Sequence, residues 1–89
     1  MVSREVEIVN KLGLHARAAA RFVQLASRFA SEVKVSKDGF TVNGKSIMGI
    51  LLLTAPKGSR IEISASGEDE EEAVRALSEL VATGFGEEG

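Results

Sequence analysis

The segment Gly13-Leu14-His15-Ala16-Arg17 holds the single histidine of the chain, with an arginine two residues after it. His15 stands where an alternating N-terminal stretch gives way to an alanine-rich run with helical spacing. A helix start offers unpaired backbone N–H groups and partial positive charge, and both favour an anion. An imidazole nitrogen with a free lone pair can attack phosphorus, and the helix start disfavours the imidazolium that would block it. Once a phosphoryl group is attached, the same amides and Arg17 offset its charge. An exposed site suits a group that must be handed on. Spacing alone also allows a second reading, a histidine that begins a helix and does no chemistry, because its charge and tautomer depend on its surroundings.

Other chemistries find fewer residues to work with. There is no Cys and no second His to complete a metal site, so no metal and no cofactor is expected. No Ser-His-Asp arrangement is visible, and 89 residues leave little room for a substrate cleft. A net charge of −2 argues against bulk nucleic-acid binding. No apolar run approaches the length of a membrane span, and Met1-Val2-Ser3-Arg4-Glu5 has no apolar signal region, so a cytoplasmic protein without membrane insertion is expected. The charges are unevenly spread. Lys11, Arg17, Arg21 and Arg28 predict a basic face near His15, while Glu68-Asp69-Glu70-Glu71-Glu72 predict a solvated acidic helix start.

The elements that must position these groups follow from periodicity. Glu5 to Val9 alternates, with Val6 and Ile8 on one side, and predicts a strand. From Ala16 to about Ala30 the spacing is helical, with Ala19, Phe22, Ala26 and Phe29 on one stripe and Arg17, Arg21, Gln24 and Arg28 opposite. Glu32 to Ser36 and Phe40 to Val42 read as strands joined by an Asp38-Gly39 hairpin, and Asn43-Gly44 as a further turn. Ile47 to Leu53 fits a buried strand or a short helix, and Ser46 as an N-cap favours the helix. Ile61, Ile63 and Ala65 predict a fourth strand after the Pro56-Lys57-Gly58 turn. Asp69 and Glu72 have capping-box spacing before the apolar face Ala73, Val74, Leu77, Leu80 and Val81. Gly84 ends that helix, and residues 84–89 read as a frayed tail of one 1–89 domain. Strand, helix, strand, strand, helix, strand, helix implies an α+β layer fold with the helices on one face of the sheet.

Set beside these features, Gly13 to Arg17 followed by Ala18-Ala19-Ala20 resembles the phosphorylation-site motif of the HPr family, histidine phosphocarriers of the bacterial phosphoenolpyruvate-dependent phosphotransferase system. Asn43-Gly44-Lys45-Ser46-Ile47-Met48-Gly49 is similar to that family's regulatory-serine segment, and residues 61–70 to its last strand and the start of its last helix. The resemblance covers almost the whole chain. It implies an open-faced β-sandwich, a four-stranded antiparallel sheet covered on one face by three helices in the order βαββαβα. It implies that Nδ1 of His15 accepts a phosphoryl group from enzyme I and passes it to an enzyme IIA-type domain. Arg17, with the backbone of Ala16 and Arg17, would hold the phosphoryl group. By the same resemblance Ser46 is a phosphorylation site for an HPr kinase/phosphorylase. Leu14, Arg21, Lys45, Ile47 and Met48 would form the docking patch, while Leu51 is assigned to the core. The carrier is expected to be a monomer and not itself an enzyme.

One residue departs from the family pattern. Ala18 stands where the family commonly has proline, which leaves the helix intact but bears on the rigidity of the site and the transfer rate. Two branches stay open, because Asn10-Lys11-Leu12-Gly13 resembles the nitrogen-related branch and Lys45-Ser46-Ile47-Met48 the kinase-regulated, sugar-linked branch. A small regulatory or ligand-binding α+β domain that binds a metabolite or a protein without covalent chemistry is the competing reading.

Overall fold

Alternation places one apolar face on each strand, and those faces meet in a single sheet. The computed structural model describes residues 1–87. Its strands are β1 (Val2–Glu7), β2 (Glu32–Lys37), β3 (Phe40–Asn43) and β4 (Arg60–Ser66). They form one antiparallel sheet in the order β1-β4-β2-β3. Val33, Val35, Ile61, Ile63 and Ala65 point to the covered face and are buried, while Glu32, Lys34 and Glu62 between them are exposed. Antiparallel sheets tolerate one wet face in this way.

The helices are α1 (Ala16–Ala26), α2 (Ile47–Leu52) and α3 (Glu70–Ala82). They bury Phe22 from α1, Ile50 from α2 and Leu77 and Val81 from α3, all at 0% exposure. Each such aliphatic or aromatic side chain is worth about 1.5–3 kcal/mol on burial. The core is aliphatic, as the low aromatic content requires, with Phe22 and Phe85 its largest members. This is the expected sandwich in the expected element order.

Several boundaries differ from the sequence reading. The first strand begins at Val2 and ends at Glu7, because its ladder with β4 pairs Val2 with Ala65 and Glu7 with Arg60. Ile8 instead bonds the turn at Gly58 and Ser59. Helix α1 stops at Ala26 rather than near Ala30. Beyond it Arg28 and Phe29 donate to carbonyls three residues back, the tighter geometry common at helix ends. The Asp38-Gly39 hairpin forms as expected, with both residues at positive φ, the signature of a type I′ turn.

The capping box at Asp69 does not form. Asp69 occupies the N-cap position of α3, but its carboxylate makes no cap bond there. It accepts from the N–H groups of Ala30 and Ser31 and from the Ser31 hydroxyl. A tertiary tie between the loop after α1 and the start of α3 has displaced the local one.

The tail is the largest departure. Residues 84–87 do not fray: Gly84–Gly86 form a 3₁₀ turn, and Phe85 is 1% exposed in the core. Phe85 is left-handed at φ 59, between glycines at φ 68 and φ 73. That conformation costs a non-glycine residue about 1–2 kcal/mol, which burial of the ring offsets at about 1.5–3 kcal/mol. Residues 88 and 89, the rest of the expected tail, lie outside the described residues.

Candidate functional site

His15 is the N-cap of α1, with extended backbone at φ −78 and ψ 179. Its ring nitrogen Nδ1 accepts the N–H of Arg17 at 3.3 Å, a side-chain cap on one of the orphan amides of the first turn. A backbone N–H can only donate, so Nδ1 carries no proton. The ring proton therefore sits on Nε2, which donates to Oε2 of Glu87 at 2.6 Å. The two contacts select one tautomer from opposite edges of the ring, and the nitrogen left with a lone pair faces the helix start.

The turn that delivers His15 depends on Gly13. It adopts φ +67, and a Cβ there would lie 2.6 Å from the carbonyl oxygen of Ala55 and 2.9 Å from Cα of Pro56. Only glycine allows the two backbones to approach so closely. The close approach is to the chain's own Ala55-Pro56 segment, where Leu14 N–H donates to Ala55 O at 2.9 Å. From the other side the buried Asn10 amide donates through Nδ2 to Gly13 O at 2.8 Å and to Oε1 of Glu87 at 3.0 Å.

Arg17 is the second residue of α1, in the first turn at its positive end, exposed, and its guanidinium has no hydrogen bond or ion pair among the described residues. The exposed Ala16 precedes it as the first helical residue. Ala18, in the place of the family's usual proline, is fully buried inside an intact helix with an intact cap. Arg21 donates to the Phe85 carbonyl and so holds the C-terminal turn against α1. The Glu87 side chain is 12% exposed. Burial alone would raise its carboxyl; the hydrogen bonds from Asn10 and His15 and the nearby charge of Arg21 outweigh it and hold Glu87 below its ordinary value.

The remaining expected residues divide. Ser46 caps α2 by accepting Gly49 N–H at 3.2 Å. Ile47 is 43% and Met48 70% exposed, so both offer apolar surface. Leu14 does not: it is 6% exposed and belongs to the core, which removes it from the docking patch. Lys45 is half-buried with its ammonium on the Phe29 carbonyl at 2.8 Å, tying α2's entry to the end of α1. Leu51 packs against the core as assigned. Leu12 and Leu52 are the exposed leucines that sequence reasoning missed, together with Asn10, Phe85 and Glu87 in the site itself. Glycines on both sides of Phe85 were a readable sign of a turn, but nothing local marks Glu87 as a partner of His15.

A shallow depression lined by Leu12, Leu14, His15, Thr54, Ala55 and Pro56 borders the imidazole. The larger concavity lies elsewhere, between the start of β1 and the acidic start of α3. A ring on an open rim fits contact between protein surfaces better than enclosure of a bound small molecule.

Comparison with known proteins bears on the family and the fold. A family model described as "PTS HPr component phosphorylation site" matches residues 2–83. The chain is 55% identical over 87 residues to the phosphocarrier protein HPr of Neisseria meningitidis serogroup B, covering 98% of each chain. A crystal structure of HPr from Thermoanaerobacter tengcongensis matches over 100% of both chains with a TM-score of 0.96 and 53% identity. A dimeric crystal structure of HPr from the same organism matches at a TM-score of 0.78 and 53% identity, covering 98% of this chain and 100% of that one.

Proposed function

The chain belongs to the HPr family of phosphocarriers, and on that footing we propose that Nδ1 of His15 is the atom that receives and releases the phosphoryl group. The protein is a phosphocarrier of the phosphotransferase system and not itself an enzyme, which displaces the reading of a metabolite-binding domain. The observation that carries the choice of atom is the tautomer: Nδ1 takes the Arg17 N–H and has the lone pair, while Nε2 holds the proton.

The geometry prepares both states. Before transfer, the Arg17 amide holds the ring with its nucleophilic nitrogen at the positive end of α1. On attack the Nδ1 lone pair bonds phosphorus, and the bond from phosphorus to the donor's leaving atom breaks with its electron pair on that atom. The Arg17 N–H, freed from Nδ1, then faces the phosphoryl oxygens, with the amide of Ala16 and the Arg17 guanidinium beside it. Transfer onward reverses the step. Little covalent chemistry is asked of the carrier, so positioning and charge dominate.

Enzyme I is the donor in this reading and an enzyme IIA-type domain the acceptor. Ile47 and Met48 supply the apolar centre of the docking surface, and Arg17 and Arg21 its charged rim, an arrangement suited to transient contacts. Ser46 is the regulatory site: a phosphate there keeps acceptor oxygens for the α2 amides while adding negative charge beside the docking residues. The carrier works as a cytoplasmic monomer. Its mass by light scattering tests that state, since a dimer would place it with the dimeric Thermoanaerobacter HPr.

The test is incubation with phosphoenolpyruvate and enzyme I of either branch, read by intact mass. The reading expects an acid-labile phosphate adduct that His15→Ala abolishes, and the enzyme I that supplies it assigns the branch. An adduct surviving in His15→Ala would place the chemistry elsewhere.

A further inference from the structure

We propose that Glu87 is a positioning residue for phosphoryl transfer, a carboxylate carried back by the C-terminal turn to fix the His15 tautomer and to neutralise the ring when Nδ1 is phosphorylated. This rests on His15 as the phosphoryl acceptor. Three relationships support it. Oε2 of Glu87 is 2.6 Å from Nε2 of His15, on the ring edge away from Nδ1. Its other oxygen, Oε1, accepts from the buried Asn10 amide, whose Nδ2 also holds the Gly13 carbonyl. That same carbonyl accepts the His15 N–H at 2.9 Å, so Asn10 ties the Glu87 carboxylate and the His15 backbone into one unit. The turn bearing Glu87 is anchored independently, by burial of Phe85 and by the Arg21 guanidinium on the Phe85 carbonyl.

The charge has a specific use. Attack by Nδ1 forms an N–P bond while the Nε2–H bond stays intact, so the ring gains a positive charge as the donor's leaving atom takes the electron pair. A carboxylate on Nε2–H favours that phosphorylated ring over the neutral one. The groups facing Glu87 are His15 from the loop before α1, Arg21 from α1 and Asn10 from the loop after β1, so the carboxylate is the one negative charge among them. With the His15 and Glu87 side chains 27% and 12% exposed, water screens the pair less than it would a surface pair.

The experiment compares the full chain with Glu87→Gln and Glu87→Ala by two readouts. The first is the ring Nε2–H proton signal of unphosphorylated His15 in NMR, which a hydrogen bond protects from exchange with water. The second is the fraction phosphorylated at equilibrium against a fixed ratio of phosphorylated to free enzyme I. Wild type shows the protected ring proton. Glu87→Gln keeps it, because the amide oxygen still accepts, yet its phosphorylation equilibrium falls about tenfold with the charge gone. Glu87→Ala loses both. A protected ring proton in Glu87→Ala overturns the proposal, and so does an equilibrium within about twofold of wild type in both variants. A wild type that takes no phosphoryl group overturns the carrier reading itself and this inference with it, a result distinct from a phosphorylated wild type with indifferent variants.

Discussion

Nε2 of His15 and Oε2 of Glu87 lie 2.6 Å apart although 72 positions separate them in the chain. The contact means that the His15 imidazole is held from two distant parts of the chain: by the Arg17 amide at the start of α1 and by a carboxylate beyond α3. Phe85 makes that possible, because it fastens the last turn into the core next to α1 and α3.

Phe85→Ala is therefore expected to do two things at once. Removing a fully buried ring costs about 3–5 kcal/mol, which a denaturant titration would record as a lower midpoint with similar slope. It also frees the turn carrying Glu87, so phosphoryl transfer should weaken at temperatures where the domain is still folded. A midpoint unchanged from wild type would mean that the C-terminal turn does not pack as described.

The hairpin at Asp38-Gly39, the alternation of β4 and the cap at Ser46 are local signals, and each is legible because the residues that decide it are neighbours. The Ala16 start of α1 was legible for the same reason. Its end was not, since Phe29 falls on the apolar stripe yet follows the helix in a tighter turn. At Asp69 a correct local pattern lost to a tertiary partner, the Ala30-Ser31 amides 38 and 39 positions away. The turn and helix start that place His15 are readable from Gly13 to Arg17, whereas the position of Glu87 depends wholly on where Phe85 settles.

Acid should weaken the fold through Asp69. Its carboxyl is held below the ordinary aspartate value of 3.8, chiefly by the Ser31 hydroxyl and then by the Ala30 amide. A depressed folded value means that the stabilisation is complete above 3.8 and is lost as pH falls through the folded value. Asp69→Asn should lower stability at neutral pH, because the amide cannot accept from all three donors, and should flatten the acid limb of a stability–pH curve. An acid limb identical to wild type would assign that loss to other carboxylates.

Ser46 separates capping from regulation. Ser46→Ala removes the bond to Gly49 N–H and should cost about 1 kcal/mol in thermal or denaturant unfolding, with enzyme I affinity nearly unchanged. Ser46→Asp keeps a capping oxygen but adds charge, so it should leave stability close to wild type and weaken enzyme I binding. Equal affinities for Ser46→Asp and wild type would end the regulatory reading.

Met48 is 70% exposed, and so offers surface without supporting the core. Met48→Glu should slow phosphoryl transfer from enzyme I several-fold while the unfolding free energy changes by no more than the usual surface range of about 0.5 kcal/mol. An unaltered transfer rate would move the docking surface away from α2, with the exposed Leu12 and Leu52 the next residues to probe.

The phosphoryl group from enzyme I is expected on Nδ1 of His15 and not on Nε2. Nitrogen-15 and phosphorus-31 NMR of the phosphorylated protein, prepared with enzyme I and phosphoenolpyruvate, measures it directly. A phosphorus–nitrogen coupling at Nδ1 is expected, with the proton retained on Nε2. A phosphoryl group on Nε2, where Glu87 now binds, would contradict it.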